Sequence, residues 1–196
     1  LLLTTTLAGR LEGWDAEDRP QGIVLGVLGQ QCWSRWGRPR RKGETRRQLL
    51  NRARESQRWA APLEQGGPPA GSTWIYVADR EGDFYEPIER CRRQGVDFII
   101  RAFHDRRLSG GQGHLKAAVA QAPVCGQLAV ELRARPGRAA RTAQVEVRTA
   151  TLRLNGPRRA NGKQPDFQLN VVEVREVAVP TGVEPLHWLL LTSLPC

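Results

Sequence analysis

The sequence predicts an α/β protein whose first half alternates strand and helix and whose second half is a basic, antiparallel β module. Two observations carry this reading. Trp74–Arg101 runs strand, helix, strand: the apolar run Trp74–Ala78 and the short run Asp97–Arg101 bracket a segment of helical periodicity. After Arg107 the pattern changes to apolar–polar alternation over Val124–Ala134, Thr142–Leu154 and Phe167–Val179, as in Val145/Val147 and Val171/Val174.

Taken in order, Leu1–Ala8 is a strand candidate, because its run Thr4-Thr5-Thr6 favours β over helix. Gly9–Gln21 reads as a polar connection punctuated by glycine and proline. Ile23–Leu28 is a second strand that continues through Gln30–Trp33. From Arg38 to Arg58 there are nine Lys/Arg and two Glu, with Gly37, Pro39 and Gly43 marking the early part as loop. A helix follows, since Leu49, Leu50, Ala53, Trp59, Ala60 and Leu63 recur at helical spacing, and Gly66-Gly67-Pro68-Pro69 ends it. Trp74–Ala78 lacks polar alternation, which predicts a central strand covered on both faces. Gly82 allows a tight turn. Asp83 and Glu86 have the spacing of a helix N-cap and its reciprocal partner, opening a helix to Gln94 with Phe84, Ile88 and Cys91 on one face. Pro87 falls near the start, where a missing N–H matters least, and Gly95 is its stop. Asp97–Arg101 is then the parallel partner of the preceding strand through a right-handed crossover.

Ser109–Gly113, with three glycines, predicts a flexible joint, and Leu115–Ala122 a short helix ended by Pro123. Gly156-Pro157 and Asn161-Gly162 mark turns between the later strands. His187–Ser193 is one more buried strand.

Charge narrows the choice of partner. The chain has 30 Lys+Arg against 20 Asp+Glu, a net charge of +10 and a pI near 10.6, which favours a polyanion such as nucleic acid. Only Lys42, Lys116 and Lys163 are lysines; the other cations are arginines, whose planar fork grips phosphate. No apolar run reaches the roughly 18 residues of a membrane span. Cys32, Cys91, Cys125 and Cys196 are far apart, and His104, His114 and His187 are scattered, so no zinc spacing occurs and free thiols are expected. With no methionine and a start at Leu1-Leu2-Leu3, the chain reads as an internal fragment.

The candidate for chemistry is Asp79, delivered at the C-terminal end of a strand, where α/β sheets collect ligands. Its plain alternative is a turn or capping residue. Three segments, Gly26–Trp33, Val77–Tyr85 and Pro185–Ser193, together with Glu55–Trp59, resemble in order and spacing the bacterial DDE-class cut-and-paste transposases of the insertion-sequence-four group, which includes the transposon-five enzyme.

That resemblance spans nearly the whole chain and implies an incomplete ribonuclease-H-like core over 1–107. A basic β-rich insertion domain over 108–196 would end in a strand that rejoins the core. It implies that Asp79 corresponds to the second of three metal-binding acids, which hold two Mg²⁺ or Mn²⁺ ions in the intact family. It assigns a phosphate contact to Arg101 and stacking on a flipped base to Trp188; the plain alternatives are a strand-end ion pair and a core indole. The first Asp of the family is absent, with Thr4 in its place if Leu1–Leu7 is the first strand, and the Tyr-Arg-Glu-Lys helix is absent too. Strand cleavage is therefore not expected. The implied partner is double-stranded DNA at transposon ends, held by a synaptic dimer in the intact family, in the nucleoid of a bacterial cytoplasm. A non-catalytic DNA-binding remnant and a metal-dependent nuclease of the same fold are the alternatives.

Overall fold

The structure, a computed structural model, describes residues 2–15, 20–33, 43, 45, 55–65, 70–159 and 161–196. Its centre is a six-stranded mixed sheet. In space the strands run β3 (Ile75–Ala78), β4 (Asp97–Arg101), β10 (His187–Thr192), β9 (Phe167–Glu176), β6 (Arg141–Leu154) and β5 (Val124–Leu132). β3 and β4 are parallel, as the strand–helix–strand pattern predicts, with Ala78 opposite Ile100. Every other pairing is antiparallel.

One face of this sheet carries the core. Phe98 and Ile100 of β4, Leu189 and Leu191 of β10, and Leu169 and Val171 of β9 alternate inward, as period-2 geometry requires. Ile88 and Cys91 from α2 (Tyr85–Gln94) and Leu115 and Val119 from α3 (Leu115–Ala120) cover them in a single cluster. α2 stops where expected: Gly95 takes a left-handed conformation, φ 65°, and Val96 N–H donates to Cys91 O at 3.0 Å. Among the described helices none is long and apolar enough to cross a membrane.

β3 departs from expectation. It is the outermost strand of the sheet, with Ile75 45% and Val77 69% exposed. An unbroken apolar run reads as doubly buried, but only Tyr76 and Ala78 pack against the core here. Beyond the free edge lies a separate antiparallel hairpin, β1 (Leu2–Trp14) with β2 (Pro20–Trp33). A groove of about 590 Å³ separates them, with Thr5–Gly9 on one side and Thr73–Val77 on the other.

The hairpin also corrects the expected connection over Gly9–Gln21, most of which is strand. Ladder bonding asks only for backbone, and register shifts after Thr6, Ala8 and Leu11 let the chain stay paired through its irregularities. Gly13, at φ 146°, takes a backbone that other residues rarely adopt. Leu7, Leu11, Val24 and Val27 stay exposed.

Of the helix expected over Leu49–Leu63, the structure describes α1 (Glu55–Ala60) followed by a 3₁₀ turn over Ala61–Gln65. Leu49, Leu50, Ala53 and most of the basic run Arg38–Arg58 lie outside the described residues.

The expected flexible joint is tied down. Leu108 N–H donates to Gly113 O at 2.9 Å, Leu115 N–H to Arg106 O at 2.9 Å and Asn155 N–H to Arg107 O at 3.0 Å. Leu108 and Leu115 are buried on either side of the glycines, so apolar anchors hold a segment whose composition alone reads as loose. Core and sheet run without interruption through residue 108.

Candidate nucleic-acid interface

β3, β4 and β9 run in one direction and β10 in the other, so the C-terminal ends of the first three meet the N-terminal end of the fourth along one rim of the sheet. Asp79 follows β3, Arg101 ends β4 opposite Leu190, and Trp188 lies near the start of β10. The rim therefore gathers all three site residues expected from the sequence.

Asp79 is exposed and serves the turn: its Oδ1 accepts Glu81 N–H at 2.9 Å and caps the 3₁₀ turn Arg80–Gly82. The turn needs glycine at position 82, because an added Cβ would stand 2.6 Å from Ala78 Cβ and 3.3 Å from the Trp59 ring. Arg101 alternates with buried Ile100, so it projects from the face opposite the helices. Its guanidinium lies 6.0 Å from the centre of the Trp188 ring, within cation–π reach. Trp188 is half-buried, a partly exposed indole at the strand mouth. Burial and then Arg80 disfavour the charge on Arg101, Asp79 favours it, and Arg135 adds repulsion.

Asp83 corrects the sequence reading. The N-cap position of α2 is Phe84, without a side-chain cap, and Asp83 is buried at 1% exposure. Its Oδ2 accepts the N–H groups of Phe103 and His104, each at 2.8 Å. Its Oδ1 accepts Arg106 Nε at 3.1 Å and Nη2 at 2.5 Å. The carboxylate therefore ties the turn after Asp79 to the segment after Arg101 and fixes one side of the rim to the other. Nothing local marks this role, since Arg106 lies far along the chain.

The residue before Trp188 is also held. His187 Nε2 stands 2.9 Å from Glu173 Oε1, and Glu173 is 3% exposed. Among the described residues Glu173 Oε2 has no hydrogen-bond partner, although Arg148 Nη1 stands 3.8 Å away.

A two-metal site needs several carboxylates sharing the ions. Among the described residues no group of three His, Cys, Asp or Glu side chains gathers in a geometry for a metal. Asp83 is engaged with Arg106, and Asp79 is flanked by cations. Among the described residues this donor set does not fit Mg²⁺ or Mn²⁺. The rim offers instead cationic forks and an aromatic face, the chemistry that receives phosphates and a base. Thr4, where the resemblance expects the first acid, lies within β1 opposite Gln31. No protein-family model matches the chain.

Proposed function

We propose that this chain is part of a DDE-class transposase, with a ribonuclease-H-like sheet, and that the described part holds DNA. The observation that carries this reading is the meeting of Asp79, Arg101 and Trp188 on one rim, with the Arg101 guanidinium over the Trp188 indole. They come from separate segments of the chain. Arg101 takes a backbone phosphate, and Trp188 stacks on a base that has left the duplex, while the +10 charge supplies sequence-independent attraction. In this reading the remaining catalytic carboxylates, and the metal ions they hold, belong to the intact family. The partner is double-stranded DNA at transposon ends.

Titration with two duplexes tests this, one fully paired and one carrying a single unpaired base. Binding to both should fall steeply with salt. The unpaired base should add affinity worth about 1–3 kcal/mol, and Trp188→Ala should remove that difference. Equal affinity for the two duplexes would refute stacking. Absence of binding at low salt would refute DNA as the partner.

A further inference from the structure

The turn between β5 and β6 projects beyond the same rim, because β6 begins where β9 ends, and this turn is both basic and anchored. Arg135 and Arg138 exchange backbone bonds, N–H to O, at 2.9 and 2.8 Å, and Gly137 closes the turn at φ 77°. Arg138 Nη2 lies 2.5 Å from Glu184 Oε2, in the segment that leads into β10. At the base of the turn Arg141 forks onto Glu176, its Nη2 donating to Oε2 at 2.8 Å. The same Oε2 accepts Leu186 N–H at 2.8 Å. The turn is thus strapped beside the entrance to Trp188.

Arg138 and Arg141 are occupied by these straps. Arg133 and Arg135 are exposed and, among the described residues, have no ion-pair partner. Arg135 lies near enough to Arg101 for the two charges to repel each other. Holding unneutralised guanidinium groups together on a strapped turn suits a bound polyanion, whose charge relieves the repulsion.

We propose that the β5–β6 turn is a second phosphate clamp, in which Arg135, with Arg133 beside it, grips the DNA backbone next to the phosphate held by Arg101. This rests on the DNA-binding reading above and extends it to a residue that the transposase resemblance does not assign. The clamp reads backbone and not sequence, so its loss weakens binding equally on unrelated duplexes.

The experiment compares the salt dependence of duplex binding for the wild-type chain, Arg135→Ala, Arg101→Ala and Lys116→Ala. Lys116→Ala removes the same charge from an exposed position of α3, on the opposite face of the sheet. One lost phosphate contact lowers the slope of log K against log salt by about 0.9. The expected result is that drop in Arg135→Ala and in Arg101→Ala, with Lys116→Ala unchanged and all four chains sharing one urea midpoint. A wild-type slope in Arg135→Ala, with the slope reduced in Arg101→Ala, overturns the clamp and leaves the DNA reading standing. An equal drop in Lys116→Ala overturns it too, since the effect is then net charge alone. A wild-type chain that fails to bind at low salt overturns both.

Discussion

Removing Arg106 should expose how much the rim depends on its buried ion pair. In the wild-type chain the Asp83 side chain is fully buried and Arg106 is 19% exposed. Arg106→Ala takes away two guanidinium bonds to the carboxylate and a third to Asp83 O, and leaves a buried carboxylate with the N–H groups of Phe103 and His104 as its remaining donors. Breaking a buried pair from one side costs about 3–5 kcal/mol. Water can reach the vacated arginine position, which places the expected loss near the lower end, about 3 kcal/mol. That is a large share of the roughly 5–15 kcal/mol that holds a typical domain together. Asp83→Asn keeps an oxygen for the two N–H groups but turns an amide donor toward the guanidinium, and should cost about 1–3 kcal/mol. Urea unfolding reads both, as a lower midpoint with an unchanged slope. Because the partners share one set of bonds, Asp83→Asn combined with Arg106→Ala should lose less than the two single losses added, by about 0.5–3 kcal/mol. If Arg106→Ala falls within about 0.5 kcal/mol of wild type, or the pair adds without coupling, the carboxylate is not the tie described above.

Acid should loosen the strapped turn. Glu176 is held down to about 2 from 4.5, chiefly by its hydrogen bond from Arg141 and next by Leu186 N–H. A depressed folded value stabilises above the unfolded value and is lost as pH falls from about 4.5 to about 2, so amide exchange around Arg138–Gln144 and Val177–Leu186 should accelerate in that window. Thiol titration at pH 8 should label Cys32, Cys125 and Cys196 while sparing Cys91, which is 0% exposed and pushed up to about 12 by burial. Cys91 should react only after denaturation. Gly156→Ala should destabilise the fold by at least about 1–3 kcal/mol, read as a lower urea midpoint, because its Cβ would fall 2.0 Å from Gln164 O and 2.5 Å from Pro165 O, both backbone atoms.

Local pattern carried much of this fold. Strand alternation located β5, β6 and β9 to within a few residues, and β4, α2 and β10 also stand close to where they read. What could not be read locally was partnership. An apolar run such as Trp74–Ala78 reports burial potential and does not say whether a neighbour strand is present, so β3 read as central and stands at an edge. The stretch Gly9–Trp14 pairs through its backbone and shows little in its side chains. Asp83 shows the same limit at the site: its spacing to Glu86 fits a cap, while its actual partners lie 20 to 23 residues on. Arg135 carried no signal of its own, because its place at the rim follows from strand order. Asp79, Arg101 and Trp188 were legible only as members of ordered segments.

The position of β10 has a consequence for how the molecule is made. It is the last strand described, yet it lies between β4 and β9 and bonds to both, joining Leu190 to Arg101 on one side and to Val172 on the other. During synthesis β4 and β9 are complete while the strand that unites them is still inside the ribosome. Until His187–Thr192 emerges, each presents an open hydrogen-bonding border beside freshly exposed apolar side chains, the condition under which chains add to one another edge to edge. In the interval between translation of Glu176 and docking of β10 the chain is therefore open to such pairing. A version stopped at Leu186 would be held in that interval permanently.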